Sequence, residues 1–214
     1  HSDRDIYNLF DKTPAHLRFT EKEIMRGEEE LQKMNIPKHA PFVCLIVRDS
    51  KYLKTISPKN DWNYHNYRNV DINNFALTSH ALAELGYYVI RMGSHVENFL
   101  ISEHPNVIDY ATNGMRSDFM DIFLGANCKF CITTSTGYDA VPNIFRKPMV
   151  YIGYTPFSHV HTSSSKYLTI SRHLYSNNLN RRLTLKETLN LKLEIPTNLV
   201  ILESDNISIM QNTK

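Results

Sequence analysis

Apolar and polar residues alternate along this chain in blocks that predict short strands and helices in succession. Residues 20–35 carry apolar side chains at helical spacing, and Thr20 followed by Glu23 is the capping-box pattern with which many helices begin. Residues 42–47 form an unbroken apolar run, typical of a strand buried on both faces. The same pattern predicts four further helices: one from Asp71 to Gly86, one that begins at Ser117 or Asp118, a short one that ends at Phe145, and one that begins at Leu183. It predicts further strands at 87–92, 107–110, 130–133, 148–152 and 198–202.

This alternation predicts the fold class and the domain organisation. Strands separated by helices indicate an α/β domain with a Rossmann-like, doubly wound and mostly parallel sheet. We expect a nucleotide-binding domain over residues 20–205, preceded by an extension or linker at 1–19 and followed by a tail at 206–214. The connection from 50 to 70 is polar and long, and long loops inside compact domains are usually functional.

Composition excludes several other classes of protein. Hydrophobic residues make up 42% of the chain and charged residues 21%, which excludes a disordered chain. A net charge of +2 gives no field that favours nucleic acid. No apolar run approaches the roughly 20 residues that cross a bilayer, and the first residues are polar. With only three cysteines, none at disulfide spacing, we expect a cytoplasmic protein, at most peripherally associated with the inner face of the membrane.

The carboxyl ends of the predicted strands carry the candidate binding groups. In doubly wound sheets, ligands bind beyond these ends. Arg48 and Asp49 follow the first strand, Gly93 and Ser94 follow the second, and residues 134–137 follow the strand at 130–133. We therefore expect all three segments along one rim of the sheet.

Residues 134–137 and Arg48 are the strongest of these signals. Ser135, Thr136 and Gly137 precede a helix, and small residues there let helix amides approach a phosphate, although a plain helix cap has the same residues. Arg48 suits a diphosphate because its guanidinium forms paired hydrogen bonds, but an ion pair with Asp49 is the alternative.

The remaining candidates lie in two segments. Residues 64–71 are dense in aromatic and hydrogen-bonding groups, which suits a sugar or a base, while a solvated loop that covers the core edge is the alternative. The second segment is residues 116–121. There Asp118 is most simply a helix cap, and Asp121 reaches a base or ribose if it faces the rim. The donor-sugar or acceptor candidates from these segments are Tyr64, His65, Arg68, Asn69, Arg116 and Asp118.

Several motifs are missing or uninformative. The chain has no Walker loop, dinucleotide fingerprint, nucleophile elbow or paired-aspartate metal clamp, which counts against a kinase, a dehydrogenase, an α/β-hydrolase and a metal-dependent transferase. Cys128 and Cys131 have no second pair at zinc spacing, so we expect a buried structural role. His159 and His161 lie in a loop, where histidines are usually idle. We predict no metal site and no cofactor.

The joint order of these segments resembles a family of glycosyltransferases encoded in bacterial surface-polysaccharide clusters. The resemblance covers roughly residues 20–190. The segments that carry it are 43–49, 64–71, 86–93, 116–119 and 134–137. A more distant similarity is to the α1,6- and protein-O-fucosyltransferase superfamily, which has the GT-B fold.

That similarity implies roles for particular residues. Arg48 matches the arginine that holds the β-phosphate, Asp121 matches the acid that contacts the base, and Ser135, Thr136 and Gly137 match a phosphate-holding turn. Ile46 stands where those enzymes have the histidine that helps to read guanine, so the base is not implied.

The resemblance implies the donor-binding domain of an inverting, metal-independent GT-B glycosyltransferase. Its partners would be a nucleotide-sugar, a glycan acceptor and a missing N-terminal GT-B domain or partner chain. Asp49 is the candidate general base, and the absent domain is the other possible source of one. Two alternatives stay open: a non-catalytic module that binds a nucleotide or glycan, and an unrelated α/β domain.

Overall fold

The computed structural model describes residues 5–155, 160–191 and 206–212, without the side chains of Tyr64 and His65. The α-helices are α1 Leu9–Lys12, α2 Glu21–Lys33, α3 Lys51–Ile56, α4 Ala76–Glu84, α5 Asp118–Asn127, α6 Ala140–Ile144 and α7 Leu185–Asn190. Three 3₁₀ helices span Asn63–Arg68, Ile72–Phe75 and Gly137–Asp139. The strands are β1 Phe42–Ile46, β2 Tyr88–Arg91, β3 Val107–Ile108, β4 Cys131–Thr133, β5 Met149–Tyr154, β6 Tyr167–Ser171, β7 His173–Ser176, β8 Arg181–Arg182 and β9 Ile207–Met210.

Six of the strands form a parallel sheet in the order β3-β2-β1-β4-β5-β6. This order confirms the predicted Rossmann-like α/β fold. The strand order reverses between β1 and β4: the chain adds β2 and β3 on one side of β1, and β4, β5 and β6 on the other. Cys44 of β1 pairs with Cys131 of β4. A cleft forms at such a reversal, because the connections from the two central strands leave in opposite directions.

The central strand β1 is buried along its whole length because helices cover both faces of the sheet. Cys44 and Ile46 pack in the core cluster that includes residues from α2 and α5. Val43 and Leu45 point the other way, into the cluster that lies under the 3₁₀ helix Ile72–Phe75. This alternation follows from the two-residue period of a strand.

Two helix boundaries agree closely with the sequence patterns. Thr20 caps α2 through the predicted capping box, in which its amide donates to the Glu23 carboxylate at 2.7 Å. The helix predicted from Asp71 begins as the 3₁₀ helix Ile72–Phe75 and continues as α4. Gly86 follows it with φ +88°, a conformation that glycine adopts without steric cost.

The segment after β5 differs from the prediction. Instead of a polar loop before the helix at 183, the chain forms β6, β7 and β8. Leu168 and Ile170 in β6 are exposed at the edge of the sheet, so β6 has no buried face on that side and no continuous apolar pattern. Residues 207–210, within the predicted tail, form β9 and pair antiparallel with β7. The predicted strand at 198–202 lies outside the described residues, and the domain boundaries stay a prediction.

The described part of the N-terminal extension contacts the domain at the amino ends of β5 and β6. The Arg146 guanidinium stacks on the Phe10 ring at 3.8 Å, and Asp11 accepts hydrogen bonds from Ser164 and Ser165. These contacts lie at the edge of the sheet opposite the strands' carboxyl ends. Within the described ranges, no helix combines the length and the apolar character that crossing a membrane requires.

Candidate functional site

A cleft of about 480 Å³ opens where the carboxyl ends of β1, β2 and β4 meet the start of α5. The cleft brings together eight residues that the sequence singled out: Arg48, Asp49, Gly93, Ser94, Arg116, Asp121, Thr136 and Gly137. Ile46, Val47, Tyr52, Leu53, His95, Val96 and Tyr138 complete its lining. Its volume lies in the range of small-molecule sites, about 300–1,000 Å³.

Hydrogen bonds between the ends of β1 and β4 fix Arg48 at this cleft. The Arg48 amide donates to Thr134 Oγ1 at 2.7 Å, and the Thr134 amide donates to the Ile46 carbonyl at 3.2 Å. Since both bonds cross the point where the strand order reverses, they set the width of the cleft floor. These two bonds therefore hold the backbone that carries the Arg48 side chain against the end of β4.

The turn after β4 presents small groups to the cleft. Ser135 has φ +67°, and its amide donates to Thr133 Oγ1 at 2.9 Å. A Cβ atom added to Gly137 would meet no other atom within 4 Å, so the space in front of this glycine is open. The first amides of a helical segment have no partner within it, which leaves those of Gly137 and Tyr138 at the cleft wall.

Asp139 is a structural part of this turn that the sequence analysis missed. Its buried carboxylate accepts from Thr133 Oγ1 at 2.6 Å and from the Thr136 amide at 3.1 Å. Burial raises the pKa of Asp139 to about 6, although the hydrogen bonds from Thr133 and Thr136 act in the opposite direction. The spacing of Thr136 and Asp139, three residues apart, is the capping-box signal that identifies this residue.

Arg116 and Asp121 form an ion pair on the wall built by α5. Arg116 Nη2 lies 2.7 Å from Asp121 Oδ2 and 3.1 Å from Asp118 Oδ1. Burial raises the pKa of Asp121, and the charge of Arg116 offsets part of this effect. Asp121 Oδ1 is buried and has no hydrogen-bonding partner within the described part of the chain. Asp121 thus lines the cleft with a side chain that Arg116 holds in place, while Oδ1 lies beneath the cleft surface.

Asp118 does not line the cleft. Its side chain is 96% exposed, and it occupies the first position of α5. Ser117 is the residue that caps the helix, since its hydroxyl accepts from the Met120 amide at 3.2 Å. Of the two predicted helix starts, the structure therefore shows Ser117 as the cap and Asp118 as the first residue of α5.

Asp49 connects the end of β1 to the segment after β2. Its Oδ1 accepts from the Lys51 amide at 2.8 Å, and its Oδ2 accepts from the Glu97 amide at 3.0 Å. Gly93 has φ +146°, and a Cβ atom there would lie 2.6 Å from the Val96 side chain. Only glycine fits this position without strain.

Arg68 and Ser135 contact each other beside the cleft and do not line it. Arg68 Nη2 donates to the Ser135 carbonyl at 3.1 Å. Tyr64 and His65 belong to the 3₁₀ helix Asn63–Arg68, and Asn69 follows that helix and lines a neighbouring cavity. Within the predicted loop 64–71, Arg68 thus lies beside the cleft, whereas Asn69 lines the neighbouring cavity.

Arg172 holds this segment in place and was missed from the sequence. Its buried guanidinium donates to the carbonyls of Tyr67, Arg68 and Asn69. Burial, followed by the charge of Arg68, lowers the pKa of Arg172. No local pattern identifies Arg172, because the carbonyls that it binds lie 103 to 105 positions earlier in the chain.

The other candidate ligands form no metal site in the part of the chain that the structure describes. No group of three or more histidine, cysteine, aspartate or glutamate side chains there is arranged to hold a metal ion. Cys44, Cys128 and Cys131 are free and buried, which confirms the predicted burial of the last two. The His161 ring packs 5.0 Å from that of Tyr151, and His159 lies outside the described residues.

Comparisons with known proteins identify no family for this chain. No family model matches the chain, and no curated protein matches its sequence. Among solved structures, the chain is similar to E. coli ADP-heptose lps heptosyltransferase II, with 15% identity and a TM-score of 0.45 over 88% of this chain and 51% of that one. It is also similar to E. coli heptosyltransferase WaaC with ADP-2-deoxy-2-fluoro heptose, with 12% identity and a TM-score of 0.37 over 82% and 49%. The chain spans about half the length of these two proteins.

Proposed function

We propose that this chain is the donor-binding domain of a GT-B glycosyltransferase, which transfers a sugar from a nucleotide-sugar to a glycan acceptor in surface-polysaccharide synthesis. One observation carries the proposal. The cleft at the strand-order reversal combines the guanidinium of Arg48 and the Arg116–Asp121 ion pair with the open turn at Thr136 and Gly137. An arginine and backbone amides beside a small-molecule cleft suit the diphosphate of a nucleotide-sugar.

The chemistry requires stabilisation of the leaving group. Negative charge develops on the diphosphate as its bond to the sugar breaks, and preorganised donors lower the barrier most effectively there. In this proposal Arg48 and the amides at Gly137 hold that diphosphate. Asp121 accepts a hydrogen bond from the nucleoside through its carboxylate, while Arg116 keeps that carboxylate charged and in position.

The acceptor side of the reaction is proposed to lie elsewhere. Both carboxylate oxygens of Asp49 accept backbone hydrogen bonds, so as a general base it would have to share one of them with the acceptor hydroxyl. A second GT-B domain would supply the acceptor contacts, and it is the other candidate source of the general base. We propose metal-independent transfer with inversion, carried out in the cytoplasm or at the inner face of the membrane.

A thermal-shift titration tests the proposal. Wild type is titrated with UDP, GDP, ADP, CMP and dTDP without metal, and a ligand at about 100 times its Kd should stabilise the fold by about 2.7 kcal/mol. Arg48→Ala should abolish the shift. Arg182→Ala is the matched control, because Arg182 is exposed on β8, away from the cleft, and the variant should keep the full shift. If no nucleotide stabilises wild type, or if both variants respond alike, the cleft is not a donor site.

A non-catalytic binding module is the second candidate. The two backbone hydrogen bonds to Asp49 favour it, because they occupy both oxygens of the candidate general base. Such a module would bind a nucleotide and would transfer no sugar even when joined to a second GT-B domain. Transfer activity of the joined protein, measured as release of the free nucleotide from its nucleotide-sugar, separates the two candidates.

A further inference from the structure

Two aromatic side chains, Tyr52 and His95, lie side by side in the wall of the donor cleft. Tyr52 belongs to the first turn of α3, which follows β1, and His95 follows β2. Their ring centroids are 6.1 Å apart and the rings are tilted by 60°, within the range of aromatic pairs. Tyr52 is 48% exposed, and His95 is exposed as well. The two rings therefore pack against each other and still leave aromatic surface open to the cleft.

Aliphatic side chains extend the surface that these two rings form. Leu53 and Val96, each the next residue along the chain, line the same cleft. We call Tyr52, Leu53, His95 and Val96 the aromatic wall. Its hydrogen-bonding side-chain groups are the Tyr52 hydroxyl and the two ring nitrogens of His95, of which Nδ1 lies 3.2 Å from Ser94 Oγ. Most of the aromatic wall therefore offers apolar contact and few hydrogen bonds.

Hydrogen bonds at Asp49 and Ser50 join the two segments that carry the aromatic wall. Asp49 Oδ1 accepts from the Lys51 amide at 2.8 Å, at the start of α3, and Oδ2 accepts from the Glu97 amide at 3.0 Å, after β2. Ser50 Oγ donates to Glu97 Oε2 at 3.4 Å. These bonds hold the two rings beside each other in the free protein, so a ligand need not order them, which lowers the entropic cost of binding.

A flat aromatic ring suits this surface better than a sugar ring does. A nucleobase carries its hydrogen-bonding groups on its edges, and its faces stack on aromatic side chains whatever the base. A sugar ring carries hydroxyl groups around its circumference, and each one that is buried without a partner costs free energy. Because the aromatic wall offers few such partners, it favours a base.

The position of the aromatic wall agrees with this choice of ligand. The wall follows β1 and β2, whereas the turn at Thr136 and Gly137 follows β4, on the other side of the strand-order reversal. Arg48 follows β1, which lies between β2 and β4 in the sheet. A ligand whose diphosphate is held by Arg48 and that turn can therefore reach the aromatic wall with its nucleoside.

We propose that the aromatic wall is the subsite for the nucleobase of the donor, which stacks on the Tyr52 ring and meets the tilted His95 ring with its edge. Asp49 is a positioning residue in this arrangement, because its two hydrogen bonds hold the segments that carry the rings. The inference rests on the proposed function and adds a stacking surface to the hydrogen bond that Asp121 forms with the nucleoside.

Calorimetric titrations compare a complete nucleotide with its diphosphate alone. UDP, GDP, ADP and dTDP are each titrated beside inorganic pyrophosphate, which has no base. Tyr52→Ala is expected to weaken the nucleoside diphosphate that binds by about 5- to 150-fold, the range for loss of one base–aromatic stack, and to leave pyrophosphate unchanged. Tyr52→Phe should restore most of the affinity, because it keeps the ring. Tyr7→Ala is the matched control and should change neither affinity, since Tyr7 is 70% exposed and does not line the cleft.

The results of these titrations separate the base subsite from the donor site as a whole. If Tyr52→Ala leaves the nucleoside diphosphate unchanged, or weakens pyrophosphate equally, the base subsite is refuted, while binding of the diphosphate at Arg48 still supports the proposed function. A loss of affinity for UDP-glucose that UDP itself does not show would assign the aromatic wall to the sugar and would also refute the base subsite.

Saturation-transfer NMR with adenosine, guanosine, uridine and thymidine tests the base subsite without a diphosphate. Base protons should receive more saturation than ribose protons, and the signal should disappear in Tyr52→Ala and persist in Tyr52→Phe. If this holds while wild type binds no pyrophosphate, the diphosphate site of the proposed function fails and the base subsite stands. If wild type binds neither a nucleoside nor a nucleoside diphosphate, both proposals are wrong.

A double-mutant cycle tests the positioning role of Asp49. The measured quantity is the ratio of nucleoside diphosphate affinity to pyrophosphate affinity, which removes the effect of a changed charge beside Arg48. Asp49→Ala should lower this ratio, Asp49→Asn should recover part of it by keeping one acceptor oxygen, and Asp49→Ala should lower it no further once Tyr52 is alanine. If the two effects add, Asp49 does not act through the ring and its positioning role is refuted.

Discussion

Lowering the pH from about 7.5 to about 5 is expected to stabilise this protein relative to its Asp139→Asn variant. Burial raises the pKa of Asp139 from 3.8 to about 6. The folded chain thus binds this proton more tightly than the unfolded chain does. Between the two pKa values the folded state carries more protons, so the free energy of unfolding falls as the pH rises through this window.

The size of the effect follows from the shift. A pKa unit corresponds to about 1.4 kcal/mol, so ionised Asp139 costs the folded state about 3 kcal/mol above pH 7. The side chain is 4% exposed, so solvent screening does not reduce this figure much. About 1.4 kcal/mol of the penalty is removed by about pH 5, where the folded state is mostly protonated and the unfolded state is not.

Urea unfolding of both proteins at the two pH values measures this difference. Other carboxylates titrate in both proteins and cancel, while asparagine keeps the shape of the side chain and does not titrate. An NMR titration of the Asp139 carboxyl carbon in wild type gives the pKa without the variant. A pKa near 4, or a stability difference that does not change with pH, would refute the burial argument.

Three substitutions test the packing and hydrogen bonds around the cleft. Gly93→Ala should lower the free energy of unfolding by about 1–3 kcal/mol, because φ is +146° and the new Cβ would overlap the Val96 side chain. Gly86→Ala is the control, since Gly86 has φ +88° in open space, and it should cost only about 1 kcal/mol. Equal losses of the two variants in urea unfolding would contradict this. Thr134→Val should cost about 1–3 kcal/mol by removing the acceptor of the Arg48 amide, and Thr134→Ser should restore most of it, as chemical denaturation can check. Arg172→Met should accelerate amide hydrogen exchange in residues 66–70 and not in β1, and uniform acceleration would show that Arg172 acts on global stability instead.

The strands of the parallel sheet that have continuous apolar runs were predictable from sequence. In β1 every residue is buried, so its pattern is unambiguous. By contrast, β6 lies at the sheet edge, with Leu168 and Ile170 exposed, and its five residues form no continuous apolar run. The pairing of β7 with β9 joins residues that are 31 to 37 positions apart, and no local pattern contains that information.

The candidate cleft was predictable to the extent that it follows from topology. Arg48 and Thr136 meet because parallel strands end at one rim, a rule that needs only the strand assignments. Arg172 reaches Arg68 across 104 positions of sequence through a contact that no such rule supplies. The side-chain direction of Asp118 also depends on where α5 begins, and a shift of one residue on a helix turns a side chain away from its neighbours.

The bond between the Arg48 amide and Thr134 joins positions 86 residues apart and has a consequence for synthesis of the protein. While the chain leaves the ribosome, β1, β2 and β3 appear first, but the wall that completes the cleft comes only with β4. Contacts between distant parts of a chain form late, because the intervening segment must first be ordered. Under the proposed function, a nascent chain that ends before residue 139 should bind no nucleotide, and the gain of nucleotide binding would report the moment at which the central strands β1 and β4 pair.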